Sequence, residues 1–295
     1  MIMTHISPKT TRVVMKTLLY LWLLVILLWM VFPFYYAIVS SLKTGTAIFE
    51  PDLIPDDISL LNYEQLFKSG HFGRNIFNSF AVSLSVVVFS VFVGVLASWV
   101  FARVEFRGRR GLLIAILSIS MFPQIAILPG MYELFAMWRG TLNEAGLQWN
   151  AGFSLSWLAF TYLIFTLPFT TWTMTAYMKN VPKELEDAAI MDGANYFTIV
   201  MRIYFPLLWP ALVVVGLMAF VVTWNEFLFA LTFTSTEVQR TVTVAISMLS
   251  GSVEFQVPWG TIMAASVIVT MPLIALVLIF QRKLIANLGA GAVKG

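Results

Sequence analysis

The chain has 295 residues, of which 59% are hydrophobic and only 11% are charged, and its mean hydropathy is +0.86. A soluble domain carries about 25% charged residues because its surface must be polar, so this composition excludes soluble and disordered proteins and indicates a chain that lies in lipid. The net charge of +3, the absence of cysteine and the presence of only two histidines argue against a nucleic-acid surface, disulfides and Cys- or His-based metal or catalytic sites.

Six long uncharged stretches predict six transmembrane helices, because a helix needs about 20 mostly apolar residues to cross the hydrocarbon core of a bilayer. The expected spans are, in chain order, residues 17–41, 76–102, 111–132, 153–178, 205–233 and 258–281. The first span could instead be a cleaved signal peptide, but its apolar run is longer than the core of such a peptide and no small-residue cleavage site follows it. Prolines predict bends within the spans, at Pro33, Pro123, Pro129, Pro168 and Pro272.

The distribution of basic residues predicts that both termini are cytoplasmic. Of the 18 lysine and arginine residues, 13 lie in segments that are cytoplasmic if the N-terminus is inside, and five lie in outer segments. Basic residues stay preferentially on the cytoplasmic side, so this orientation is favoured. In this orientation, residues 43–75 form a first outer loop. Pro51 and Pro55 interrupt regular structure there, and we expect this loop to be a small extracytoplasmic cap.

The longest cytoplasmic connection, residues 179–206, has the features of a short docked helix. Asn180 can cap its start, Pro182 suits a first turn, and three acids lie near the positive end of the expected helix dipole. Gly193 permits a sharp turn at the end of this helix. The pattern alone is equally compatible with an amphipathic helix on the membrane surface.

The spacing within this loop resembles that of the permease subunits of ATP-binding-cassette (ABC) importers. Their signature is Glu-Ala-Ala, three residues, Gly, nine residues and Ile-x-Leu-Pro, and this chain has Asp187-Ala188-Ala189, Gly193 and Ile203-Tyr204-Phe205-Pro206. Asp187 stands where the family most often has Glu, and Phe205 where it has Leu. The resemblance implies a coupling helix, between the fourth and fifth transmembrane helices, that lies in a cleft of the ATPase subunit. The coupling residues that it implies are Glu184, Glu186, Asp187, Ala188, Ala189, Asp192 and Gly193.

Two further segments resemble sugar permeases of this family. The end of the chain, Arg282-Lys283 followed by residues 288–295, resembles the tail of the MalG-type maltose permeases. The tail of that subfamily reaches the ATPase dimer interface, which implies ATPase contacts at Gly291, Val293, Lys294 and Gly295. The segment 223–231 resembles the Trp-Asn-Glu-Phe segment of carbohydrate permeases, so Trp224, Asn225 and Glu226 are candidates for the translocation path or for an inter-subunit contact. An acid such as Glu226 inside a span costs roughly 2.5–3.5 kcal/mol, and a structural hydrogen bond between helices is an equal alternative.

The resemblance implies an all-α integral membrane fold, with residues 1–295 as a single type-I transmembrane domain of an ABC transporter. The sequence contains no Gly-x-x-x-x-Gly-Lys-Ser/Thr phosphate loop, so we expect ATP to be bound elsewhere. With two histidines, no cysteine and spans almost free of acids, we also expect the chain to be no enzyme and to bind neither cofactor nor metal. ATP and Mg would be held by partner subunits. The implied partners are an ATPase dimer, a second homologous permease subunit, an extracytoplasmic solute-binding protein and the lipid of a bacterial or archaeal cytoplasmic membrane, and no nucleic acid is expected.

The expected function is the import of a mono- or oligosaccharide, such as maltose or trehalose, by alternating access driven by ATP. The same machinery could instead carry glycerol phosphate, a polyol or another polar solute, because related permeases share these motifs. A self-contained ion-coupled carrier should show internal repeats and buried ionisable residues, whereas this sequence has one acid within a span and no clear repeat. A membrane-embedded enzyme would need a converging set of polar residues, which the sequence does not contain.

Overall fold

The computed structural model describes residues 8–68, 70–146, 151–250 and 257–292, and the regular elements within these ranges are all helical. The all-α class predicted from the sequence is therefore confirmed. The chain divides into two compact units, Met1–Lys68 with Leu249–Ile268 and Ser69–Met248 with Val269–Gly295.

The first unit contains the long helix α1 (Pro8–Leu42), a 3-10 turn (Gly45–Phe49) and the short helix α2 (Leu61–Lys68). The most apolar stretch of α1 has no buried side chain. A helix that is apolar on all sides is stable only if lipid or another protein surrounds it. Its composition therefore matches a membrane-spanning segment.

Buried polar side chains stabilise the loop between α1 and α2. Asn62 donates through Nδ2 to the backbone oxygens of Ser41 and Lys43, both at 2.8 Å. The Lys43 ammonium is also buried, and it donates to the backbone oxygens of Glu50 and Asp52 at 2.9 and 3.0 Å. These bonds satisfy polar groups that burial would otherwise destabilise, and they fix an irregular loop in one conformation.

The helices that follow are, in chain order, α3 (Phe72–Arg103), α4 (Arg109–Ser120), α5 (Gln124–Glu144), α6 (Ala151–Lys179), α7 (Glu184–Met191), α8 (Tyr196–Ile199), α9 (Phe205–Leu207), α10 (Trp209–Trp224), α11 (Leu228–Phe233) and α12 (Val242–Leu249). A π turn at Val200–Tyr204 joins α8 to α9. The last helix, α13 (Trp259–Ala292), begins in the first unit and continues in the second.

Among the described residues, the helices that are long and apolar enough to cross a membrane without a break are Arg12–Leu42, Phe72–Arg103, Gly152–Lys179 and Trp259–Gln281. Two further candidates are bent pairs. The pair α4 and α5 meets at 88°, and the segment Tyr196–Leu207 meets α10 at 83°. There are thus four candidate spans, or up to six if each bent pair is counted as one.

The third and fifth predicted spans are therefore broken and not continuous helices. Pro123 directly precedes α5, and proline both lacks a backbone donor and disfavours helical conformation at the residue before it. Pro210 has the same effect in the first turn of α10, after the break at Leu208. The fifth predicted span has a second break, at residues 225–227 between α10 and α11. The other prolines lie inside helices that continue past them, at Pro33, Pro129, Pro168 and Pro272.

In the second unit α3 packs along α6, and α10 packs against both. Small residues are buried on α3, including Ser90, Gly94 and Ser98, and Thr170 is fully buried on α6. Small side chains let two helices approach closely within a bilayer, where the hydrophobic effect does not drive them together. At Gly94 the two helices are so close that an added Cβ atom would lie 2.5 Å from Thr170 Cγ2.

We predict that Gly94→Ala destabilises the chain by about 1–3 kcal/mol, because the added methyl group forces α3 away from a stiff β-branched side chain. Gly73→Ala is the matched control, since Gly73 lies in the same helix and a Cβ there would meet nothing within 4 Å. The control should leave stability unchanged or raise it by about 0.5–1 kcal/mol. Thermal unfolding of the full chain in detergent measures both variants, and equal midpoints would contradict the close contact.

Candidate functional site

The loop that carries the importer signature folds into α7 and a tight turn. The three acids of the first turn of α7 lie at the positive end of the helix dipole. Gly193 follows the helix with φ +81°, a left-handed conformation that favours glycine. Its N–H donates to Ile190 O at 2.9 Å and the Ala194 N–H donates to Ala189 O at 3.0 Å, which is the Schellman pattern of a helix end.

The start of α7 differs from the sequence-based expectation. Asn180 does not cap the helix, because α6 continues to Lys179 and the Asn180 N–H bonds back to Tyr177 O. The residue before α7 is Lys183, and it makes no side-chain capping bond. The acids of the first turn thus supply the favourable charge that a capping side chain would otherwise provide.

The coupling residues proposed from the sequence lie on two faces of α7 and its turn. Glu186 and Ala189 are buried, at 5% and 8% exposure. The remaining ones are exposed, namely Glu184, Asp187, Ala188, Asp192 and Gly193. The exposed face also carries large apolar side chains, Leu185, Ile190 and Met191, of which Met191 is 87% exposed.

The buried face of α7 is fixed by a polar cluster of Arg103, Glu186 and Tyr204, which we call the anchor network. Arg103 Nε donates to the Tyr204 hydroxyl at 2.8 Å, and that hydroxyl donates to Glu186 Oε2 at 2.7 Å. Arg103 Nε also forms an ion pair with Glu186 Oε2 at 3.4 Å, and the guanidinium lies over the Tyr204 ring at 5.4 Å. Tyr204 is fully buried, so these bonds are shielded from water.

The same arginine holds the end of α6. Its Nη2 donates to the backbone oxygens of Met178 and Val181, at 3.2 and 2.6 Å. Unpaired carbonyls at a helix C-terminus carry partial negative charge, which a cation stabilises. Apolar side chains surround this region and include Val181, Ala189, Ile199 and Val200.

Glu226 lies in the break between α10 and α11, and it is buried. Its Oε1 accepts the backbone N–H of Phe229 at 2.9 Å, and its Oε2 accepts the N–H of Ala230 at 3.1 Å. The hydroxyl of Tyr162 in α6 donates to Oε2 at 2.6 Å. The carboxylate thus caps α11 at the positive end of the helix and links it to α6.

The two residues that precede Glu226 have different environments. Trp224 is 1% exposed and stacks on Phe220 with ring centroids 5.4 Å apart. Asn225 is exposed, and its Nδ2 donates to Val221 O at 2.8 Å. Of the three residues proposed from the sequence for a path or contact, Asn225 is therefore the one whose side chain is open to a ligand or subunit.

Sequence reasoning missed several residues that position these elements. Arg103 is one such residue: its hydroxyl partner Tyr204 lies 101 positions away, which no local pattern indicates. Tyr162, 64 positions from Glu226, is another. At the other end of α3, Asn75, Asn78 and Ser79 bond to the backbone of residues 237–242 at 2.8–3.0 Å. The sequence signal that could have indicated these contacts is the group of polar residues at the start of a predicted span.

The proposed tail contacts lie at or beyond the end of the described residues. Gly291 belongs to the last turn of α13, and Val293, Lys294 and Gly295 lie outside the residues that the structure describes. Within the described part of the chain, no three His, Asp or Glu side chains come close enough together to hold a metal ion.

Comparisons with known proteins agree on one class. A family model described as "Binding-protein-dependent transport system inner membrane component" matches residues 90–288. The chain is 35% identical to the trehalose transport system permease protein SugB of Mycobacterium tuberculosis, over 86% of this chain and 89% of that protein. It is also 35% identical to the trehalose/maltose transport system permease protein MalG of Thermococcus litoralis, over 90% of this chain and 91% of that protein.

A solved structure has the same fold. It is the crystal structure of a bacterial ABC transporter involved in the import of the acidic polysaccharide alginate. The match has a TM-score of 0.75 and covers 95% of this chain and 99% of that chain, with 20% sequence identity. At this identity the similarity concerns the fold alone.

We predict that Glu226→Gln lowers the free energy of unfolding by about 1–3 kcal/mol. Both carboxylate oxygens accept backbone N–H groups, so either orientation of the new amide points its NH2 group at another donor. Glu105→Gln is the control, because Glu105 is exposed in the turn between α3 and α4. Thermal unfolding in detergent compares the two variants, and an equal midpoint for both would argue against the capping role.

Proposed function

The chain belongs to the family of binding-protein-dependent transport system inner membrane components, the permease subunits of ABC importers, and we propose that it moves an oligosaccharide of the trehalose and maltose class across a bacterial or archaeal cytoplasmic membrane. The substrate class is taken from relatives that are 35% identical over most of the chain. The chain itself hydrolyses nothing. ATP and Mg are bound by partner ATPase subunits.

The observation that carries this proposal is the exposed face of α7. Leu185, Ile190 and Met191 expose apolar side chains beside Asp187 and Asp192, in a helix outside the long uncharged spans. These exposed apolar side chains, together with the neighbouring acids, offer a partner protein both apolar and charged groups to contact. Because the family signature falls on the same helix and its turn, at residues 187–189 and 193, we assign this face to the ATPase.

The mechanism follows from where α7 is anchored. Shifting the population ratio of the two access states of the bundle from about 1:99 to about 99:1 requires roughly 5.5 kcal/mol of differential binding. Nucleotide at the ATPase dimer supplies this binding energy. Closure of that dimer displaces α7, and α7 is bonded to the ends of α3 and α6 through the anchor network. The displacement therefore reaches two spans and changes the side of the membrane to which the pathway opens.

A second permease subunit completes the pathway in this proposal. The clefts beside α3 have volumes of about 490 and 520 Å³, and their walls are almost entirely apolar. A sugar needs hydrogen-bond partners for its hydroxyls as well as aromatic faces, so neither cleft fits it. The uncovered apolar surface of α1 also calls for a neighbour in the membrane. Substrate arrives from an extracytoplasmic solute-binding protein.

We predict that Met191→Asp weakens ATPase binding by about 2 kcal/mol or more, the loss typical of a central interface residue. The side chain is 87% exposed, so the variant should fold as the parent chain does. Val104→Asp, in the turn after α3, is the control, since its side chain is also exposed. Titration of the ATPase onto the permease in nanodiscs measures both affinities. Unchanged binding by Met191→Asp would remove α7 from the contact.

The substrate assignment has its own test. Trehalose and maltose should bind the companion solute-binding protein in calorimetry, and either sugar should accumulate in proteoliposomes that contain the complete complex and internal ATP. Accumulation should stop when ATP is replaced by a non-hydrolysable analogue. Accumulation of glycerol 3-phosphate or a polyol, with neither disaccharide taken up, would assign this permease to another solute.

A further inference from the structure

The anchor network joins four segments of the chain. Arg103 is the last residue of α3, and its guanidinium bonds the carbonyls of Met178 and Val181 at the end of α6. Glu186 belongs to α7, and Tyr204 ends the π turn. One side chain thus bonds groups from the end of α6, from α7 and from the π turn.

The network also fixes the rotation of α7 about its own axis. Glu186 and Asp187 are adjacent acids, yet Glu186 is buried against Arg103 and Asp187 is exposed. A rotation of α7 by one residue would expose the partner of a buried cation and bury an acid that has none. Apolar contacts alone would not distinguish these rotations as sharply, because they are not directional.

Arginine suits this position because of its geometry. Its planar fork presents donors in several directions at once, and the Nε and NH2 groups here reach a hydroxyl, a carboxylate and two carbonyls. A lysine ammonium is a single point and could satisfy only part of this set. The bonds therefore depend on Arg103 itself and not on positive charge in general.

We propose that Arg103 is a positioning residue for energy coupling: through Tyr204 and Glu186 it fixes the rotation of α7 relative to α3 and α6, so that movement of α7 is transmitted to both helices. This inference rests on the proposed function of α7 as the ATPase contact. Without the network, α7 still binds the ATPase through its exposed face. When the ATPase displaces it, however, α7 rotates about its own axis and does not move α3 and α6. ATP is then hydrolysed with little transport.

The key variant is Tyr204→Phe, which removes the bridging hydroxyl and keeps the ring beneath the guanidinium. Tyr162→Phe is a closely matched control, because both tyrosines are buried and each donates to a buried glutamate, at 2.7 Å for Tyr204 and 2.6 Å for Tyr162. The two variants should lose similar stability. Only Tyr204→Phe loses a bond to α7. Arg103→Gln is a second variant that removes the ion pair as well.

The first measurement is the distance between spin labels in the full chain in nanodiscs. The sequence contains no cysteine, so labels can be placed cleanly at Glu105→Cys and Met191→Cys, both exposed positions. The distance distribution should be narrow in the parent chain and with Tyr162→Phe. It should broaden with Tyr204→Phe and broaden further with Arg103→Gln. This measurement requires no ATPase and no identified sugar.

The second measurement is the amount of trehalose taken up per ATP hydrolysed by the unlabelled complex. This ratio should fall about tenfold with Tyr204→Phe, within the usual range of coupling between two sites, while ATPase binding is retained. Parental distance distributions for both Tyr204→Phe and Arg103→Gln would overturn the inference, as would equal broadening by Tyr162→Phe. A parent complex that binds no ATPase would instead contradict the proposed function, and the label distances would still test the positioning.

Discussion

The arrangement of the signature loop depends on one largely buried ion pair, between Arg103 and Glu186. Burying two opposite charges is favourable only when the remaining donors and acceptors are also satisfied, and here Tyr204 and two carbonyls at the end of α6 meet that need. Because each partner comes from a different segment, the loop cannot shift without breaking several bonds together. The short helix α7, too short to be stable alone, thereby keeps a defined orientation.

The second buried acid of the described residues, Glu226, is accommodated by the same chemistry in a different place. Each carboxylate receives a tyrosine hydroxyl, and Glu226 adds two backbone N–H groups at a point where the helix is interrupted. A break within an apolar segment leaves backbone groups without partners, and an adjacent acid satisfies them. This explains how a chain with only 11% charged residues contains an acid so far inside a span.

Sequence reasoning succeeded where the physical signal is local. Long uncharged runs predict helices because bilayer thickness sets their length, and the spacing from Asp187 to Pro206 identifies the family because it is a contiguous pattern. It did not distinguish Pro123, where the chain bends by 88° between two helices, from Pro168, which lies inside α6. A proline removes one hydrogen bond in either case, and the packing of neighbouring helices decides whether the helix continues. The two faces of α7 were also not predictable, since the burial of Glu186 depends on a residue from α3.

The exposed apolar surface of α1 has a consequence for the substitutions that this helix tolerates. With no buried side chain in its most apolar stretch, the helix depends on its surroundings for stabilisation. Exchange of one apolar residue for another there leaves no cavity and forces no repacking, because no neighbouring side chain is fitted to it. The stretch is therefore constrained by its length and its apolar character and not by the identity of each residue.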